Sequence, residues 1–193
     1  ARVPAAALLD DRAVSLSCQL WLWKRQPDRC LDVLNSVSRD FLHGYYWAGA
    51  PKNWLLGKVH QLAGRPAAAE AQWRLALKAI EKARVEKPDL VNLIFWNANV
   101  LARLGDKVEA EKALDLGLQL SAGGKGGSTA AHVAAIKLLL GHRTEALDLL
   151  ESKLKTPAAP LLRIELRYEP AFDELRGDPR FEAMLAAPNP QKP

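Results

Sequence analysis

Few residues of this 193-residue chain are of types that do chemistry, and none stands in the company its chemistry needs. The one glycine-rich stretch, Gly123-Gly124-Lys125-Gly126-Gly127-Ser128-Thr129, suggests a phosphate cradle. In a P-loop, however, the lysine follows the last glycine, a strand leads in, and four residues separate the glycines. Here the lysine precedes the last glycines, so the stretch reads as a connection, with Ser128 or Thr129 capping the next helix. The histidines, His43, His60, His132 and His142, show no short metal-binding spacing, and each falls in a different helix or turn. Asp10-Asp11 and the pair Glu109 and Glu111 fall at helix starts or on polar faces, where the helix dipole and solvation account for them. Ser36 and Ser38 lack the GxSxG setting of a nucleophile. The expectation is no catalytic, cofactor or metal site.

The composition points the same way. Hydrophobic residues make up 49% and charged residues 25%, as in an ordinary folded domain, and the length suits one domain spanning 1–193. The net charge of +5 is spread through mixed runs such as Lys78, Glu81, Lys82, Arg84, Glu86 and Lys87, a solvated helix face and not a nucleic-acid patch. No apolar run reaches the roughly 18 residues of a membrane span; the run Ile136 to Leu140 ends at Gly141-His142-Arg143. The start Ala1-Arg2-Val3-Pro4 has neither an initiator methionine nor a signal-peptide core, so the chain reads as an excised or processed piece, its compartment open between cytoplasm and periplasm. Two cysteines, Cys18 and Cys30, are too few for a disulfide framework and have no zinc spacing.

The elements that would position such residues are announced by a recurring phrase, a turn followed by a small residue that opens a new helix. It appears as Arg25-Gln26-Pro27-Asp28-Arg29-Cys30, Gly64-Arg65-Pro66-Ala67-Ala68-Ala69, Gly105-Asp106-Lys107-Val108-Glu109-Ala110 and Gly141-His142-Arg143-Thr144-Glu145-Ala146. The small residues fall at 30, 69, 110 and 146, a repeat of about 36 to 41 residues, which is the size of a two-helix unit. Glycine ends one helix in the left-handed conformation, and proline two residues later suits the first turn of the next. Apolar residues recur at three and four on both flanks, as in Leu55, Leu56, Val59 and Leu62 before the second turn and Trp73, Leu75, Ala76 and Ile80 after it. Strand signals are nearly missing, so the class is all-α. The helices are predicted over 11–25, 28–41, 51–63, 66–86, 89–104, 107–120, 129–140 and 143–155, with short ones over 159–166, 170–175 and 178–186.

The second pair resembles the tetratricopeptide (TPR) repeat: Leu56-Gly57 precedes Gly64, Ala69, Trp73 and Ala76 at that family's spacing. It departs at Asn53, where the family has tryptophan, at His60 for tyrosine and at Glu81 for the closing proline. The tail Tyr168-Glu169-Pro170-Ala171-Phe172-Asp173-Glu174-Leu175-Arg176-Gly177-Asp178-Pro179-Arg180-Phe181 resembles the segment closing the TPR regions of multidomain bacterial signalling proteins, fused to kinase, nucleotide-cyclase or DNA-binding modules. Tyr46-Trp47-Ala48-Gly49-Ala50-Pro51-Lys52 is similar to the same group. The resemblance implies a right-handed superhelix of about four antiparallel pairs, near 11–41, 51–86, 89–120 and 129–155. A cap over 158–186 would place Phe172, Leu175, Phe181 and Leu185 on the open end of the stack.

It also implies a non-catalytic protein-binding scaffold, the regulatory or sensing portion of a larger bacterial protein, with a peptide or protein in the concave groove. The alternative is a self-associating structural segment. In such a stack the first helix of each pair lines the groove, which assigns Gln19, Trp23, Trp54, Lys58, Gln61, Phe95, Asn99 and Arg103 to partner contact. Aromatics with amides and cations are the usual material of binding hot spots. For Trp23, Trp54 and Phe95 the alternative is that they fill space between pairs. The lysine and asparagine arrangement of chaperone-tail-binding TPRs is not reproduced, so a C-terminal carboxylate ligand is not implied. Cys18 and Cys30 would face each other across the first pair, either as two reduced core residues or as a disulfide.

Overall fold

A computed structural model describes residues 10–43, 48–88, 90–123, 129–156 and 159–186. The described chain is mostly helical. It divides into two compact units, Ala1–Gly127 and Ser128–Pro193, so the expected hairpins are shared three and one between them. Tyr46 and Trp47, Gly124 to Ser128 and the first nine residues lie outside the described residues.

The first unit contains α1 (Asp11–Trp23), α2 (Asp28–Asn35), strands β1 (Phe41–His43) and β2 (Ala48–Pro51), α3 (Lys52–Leu62), α4 (Pro66–Glu86), α5 (Val91–Arg103) and α6 (Lys107–Ala122). Helices pack in sequence as hairpins, α1 with α2, α3 with α4 and α5 with α6. One core runs through the unit from Val14, Cys18 and Leu22 of α1 to Trp96 and Val100 of α5. The second unit contains α7 (Ala130–Leu140), α8 (Arg143–Lys153), α9 (Ala159–Tyr168), a 3₁₀ turn at Pro170–Leu175 and α10 (Pro179–Ala186). Its core joins Ala134 of α7 and Ala146, Leu147 and Leu150 of α8 to Phe172, Leu175 and Phe181.

The four turns are built alike. Arg25, Gly64, Gly105 and Gly141 have φ of 56°, 71°, 86° and 95°. In each, the N–H of that residue reaches a carbonyl three residues back and the next N–H one five residues back. Gly64 donates to Gln61 at 3.0 Å and Arg65 to His60 at 2.9 Å; Gly141 donates to Leu138 at 2.9 Å and His142 to Lys137 at 2.8 Å. This pair of bonds satisfies the last carbonyls of a helix while a left-handed residue reverses the chain. Five residues on, Cys30, Ala69, Ala110 and Ala146 are each fully buried in the first turn of the next helix. The small position of the repeat is therefore where the hairpin closes.

Two details differ from the sequence-based elements. The helix expected over 28–41 ends at Asn35, because Ser36 returns its hydroxyl to the Val33 carbonyl at 2.7 Å and the chain leaves through residues that compete with helical hydrogen bonds. Beyond it the chain forms an antiparallel hairpin, pairing Phe41 with Pro51, Leu42 with Ala50 and His43 with Ala48, with a bulge between Leu42 and His43. The hairpin is too short to show alternation in sequence. Buried Leu42 and Ala50 join the core, and Lys52 ties the strand exit back to the Val37 carbonyl at 2.8 Å.

The tail forms a closing layer of the second unit through apolar and ionic contacts. The rings of Phe172 and Phe181 stand 6.4 Å apart, and the Arg176 guanidinium lies 5.3 Å from the Phe181 centroid. Arg180 bonds both Asp148 and Glu151 of α8, at 2.7 and 2.8 Å. Asp178 accepts from Arg143 and from the first amides of α10, and chiefly the Arg143 bond holds its carboxyl below the usual range. Leu185 is partly buried against this core.

Arg25 is the one non-glycine residue with positive φ among the described residues. A left-handed side-chain-bearing residue costs about 1–2 kcal/mol, part of which glycine returns through unfolded-chain entropy. Arg25→Gly is expected to raise stability by about 0.5–1 kcal/mol in urea unfolding; an unchanged or lower midpoint would contradict the shared turn geometry.

Candidate functional site

Six of the eight residues assigned to the groove stand on two helix faces. Trp54, Lys58 and Gln61 follow each other at four and three along α3, and Phe95, Asn99 and Arg103 at four and four along α5. Those spacings place each trio on one side of its helix. Neither helix contains an Asp or Glu.

The structure joins three of these side chains at one point, the Asn99 side-chain oxygen. Trp54 Nε1 donates to it at 2.8 Å and Arg103 Nε at 3.0 Å. Two donors converging on one atom require it to be the amide oxygen, which fixes the orientation of Asn99. Arg103 Nη1 reaches on to Gln61 Oε1 at 2.9 Å. The guanidinium carbon lies 5.2 Å from the Trp73 ring centroid, and Lys58 Nζ 5.4 Å from that of Trp54. Trp96 tilts against Trp54 at 59° with ring centroids 4.5 Å apart. Arg103 thus touches residues of α3 and α4 from its own helix, α5.

Burial separates the set into an inner and an outer part. Asn99 is 1% exposed, and Trp54 and Lys58 are each 4% exposed, whereas Arg103 is half-buried and Gln61 is exposed. A buried indole N–H or guanidinium without an acceptor costs more than its hydrogen bond gains in water, so Asn99 is needed where it is. The cation lying against an aromatic face offsets part of the desolvation of Lys58. The inner residues hold helices together, and the outer ones meet solvent.

The remaining assignments resolve differently. Phe95 is 1% exposed, and its ring comes within 3.0 Å of where a Cβ on Gly117 of α6 would stand. It fills the interior of the α5/α6 hairpin, because the missing side chain of Gly117 leaves a space only an aromatic edge occupies. The space-filling alternative therefore describes Phe95, and Trp54 fills space and donates a hydrogen bond at once. On α1, Gln19 is buried and Trp23 is half-buried at the last turn. The sequence-based set omits Trp96 and leaves Trp73 to the core; the i, i+3, i+7 run of Trp96, Asn99 and Arg103 was the available signal.

Thr129 caps α7 by accepting from the His132 amide at 3.1 Å. His60 has its pKa lowered, first by burial and then by Arg65. Among the described residues no three of His, Cys, Asp and Glu gather into a metal-binding group, and no helix is long and apolar enough to cross a membrane. No protein-family model, curated protein or solved structure matches the chain.

Asn99→Ala leaves the buried Trp54 indole N–H without its acceptor, so a loss of about 1–3 kcal/mol in urea unfolding is expected. The same substitution made in a Trp54→Phe background should cost less, since the orphaned donor is gone; equal costs would show that the bond does not hold α3 to α5.

Proposed function

We propose that the chain is a non-catalytic protein-interaction scaffold of TPR-like helical repeats, forming a right-handed stack, and serves as the regulatory or sensing portion of a larger bacterial protein. A peptide or protein partner lies along the face formed by the first helices of the pairs. The observation that carries this reading is the outer edge of the α3/α5 assembly, where exposed Gln61 and half-buried Arg103 are bonded to each other at 2.9 Å and Arg103 is anchored on buried Asn99. Polar groups held in place before binding lose little rotamer entropy when a partner arrives, which favours recognition at such an edge. The repeated turns and buried small residues support the repeat architecture. The absence of acidic residues from α3 and α5 suits a partner presenting carbonyl or carboxylate oxygens.

A second reading, self-association, is favoured by α1. Its inward face carries Val14, Cys18 and Leu22, while Leu16 and Leu20 on another face are 42% and 52% exposed. A helix apolar on two sides has a use for a second neighbour.

The test is to select peptides from a random displayed library on the immobilised chain and measure the winners by calorimetry. Gln61→Glu puts a carboxylate at the exposed edge, where it can still accept from Arg103 and repels the oxygens of the partner; it is expected to leave the melting temperature unchanged and weaken binding about tenfold, the loss of one good interface contact. Binding that is unaffected by Gln61→Glu would remove this edge from the partner site. Sedimentation equilibrium over a wide concentration range separates the readings: the scaffold stays monomeric, and the self-associating segment gains mass.

A further inference from the structure

Besides Arg25 in its turn, the first hairpin differs from the others where its two helices cross. Each hairpin has two small buried positions at the same separation, one on its first helix and one on its second: Gly57 with Ala69, Ala98 with Ala110 and Ala134 with Ala146. Small side chains there let the paired helices approach closely. In the first hairpin both positions are cysteine, Cys18 on α1 and Cys30 on α2, each fully buried. Both are free thiols, with Cys30 Sγ 3.5 Å from the Cys18 carbonyl oxygen.

We propose that Cys18 and Cys30 are a disulfide site, at which a small-molecule disulfide oxidant closes a covalent tie between α1 and α2 without moving either helix out of the hairpin. A disulfide needs Cβ atoms about 3.5–4.5 Å apart, and the Cys30 thiol already lies against the Cys18 backbone at the position where the hairpin closes through small residues. The two cysteines already meet, the Cys30 thiol donating to the Cys18 carbonyl at 3.5 Å, and the Cys18 pKa is raised above the ordinary thiol value, first by Cys30 and then by burial.

The exchange balances without further reagents. One cysteine thiolate attacks a sulfur of the oxidant, forming a mixed disulfide and releasing one small thiolate. The other cysteine gives up its proton, attacks the mixed disulfide at the protein sulfur and releases the second small thiolate. Two electrons pass to the oxidant, which leaves as two thiols carrying the two protons. Because a tightly held proton and full burial leave little thiolate at neutral pH, the reaction proceeds through local opening of the hairpin and quickens with rising pH. This makes the pair a structural crosslink and not a fast redox sensor.

Closing a loop of this length disfavours the unfolded chain by about a hundredfold in the unfolding equilibrium. The full chain, kept folded as judged by circular dichroism, is incubated with excess oxidised glutathione at about pH 8.5, near the ordinary thiol pKa, then alkylated in denaturant and weighed. The expected product has lost two hydrogen atoms, carries neither alkyl group nor glutathione, keeps its helical spectrum and unfolds at higher urea, with all changes reversed by dithiothreitol. Cys30→Ala, which restores the residue found in the other three hairpins, should fold, hold a single glutathione and never lose the two hydrogens. Persistent glutathione on either cysteine of the unsubstituted chain, two alkylated cysteines after prolonged oxidation, or an oxidised form less stable than the reduced one would overturn the proposal.

Discussion

Gly57 lies beneath the indole of Trp73, with Trp73 Nε1 only 2.2 Å from where a Cβ would be placed. No other residue fits that contact without displacing the ring, and the ring is what the guanidinium of Arg103 lies against. The close approach of α3 and α4 at this point therefore determines where Trp73 stands, which determines where Arg103 stands. The same constraint recurs across Ala98 and Ala110 and across Ala134 and Ala146, where methyl groups take the place of larger side chains.

Between hairpins of the first unit a different interaction takes over. The α3 and α5 helices are joined by a buried amide oxygen that two donors share, and around it stand three tryptophan rings, Trp54, Trp73 and Trp96. Apolar contact alone tolerates sliding, whereas the directed bond from Trp54 of α3 to the buried oxygen on α5 does not. The consequence reaches the surface, since Arg103, once held by Asn99 and Trp73, has its remaining reach fixed toward Gln61. Positioning of the outer edge thus follows from packing three contacts further in.

Much of this was readable from residue types because the signals are local. Gly64, Gly105 and Gly141 end helices by a backbone conformation that belongs to glycine, and Pro66 starts the next helix, so the turns and most helix limits follow from neighbouring residues. Ser36 to Asp40 looked helical only as an extension of α2, and the Phe41 and Ala48 strands are shorter than any period can reveal. The face assignments were harder. Phe95, Asn99 and Arg103 share one spacing, yet Phe95 packs on Gly117 while Asn99 meets Trp54, and both partners lie on other helices. Spacing along α5 gives the face and not the neighbour, so which residues end inside and which at the edge had to come from the three-dimensional arrangement.

A directed bond from Trp54 to Asn99 holds α3 to α5 and fixes the Gln61 and Arg103 edge at which a partner is proposed to bind. Its most direct measurement is hydrogen exchange of the tryptophan indole protons by nuclear magnetic resonance. The account predicts that the Trp54 Nε1 proton exchanges only through global unfolding, with the protection of the α3 and α5 backbone amides, and loses that protection in Asn99→Ala. A Trp54 indole proton that exchanges at the rate of a free indole in the folded chain would contradict it.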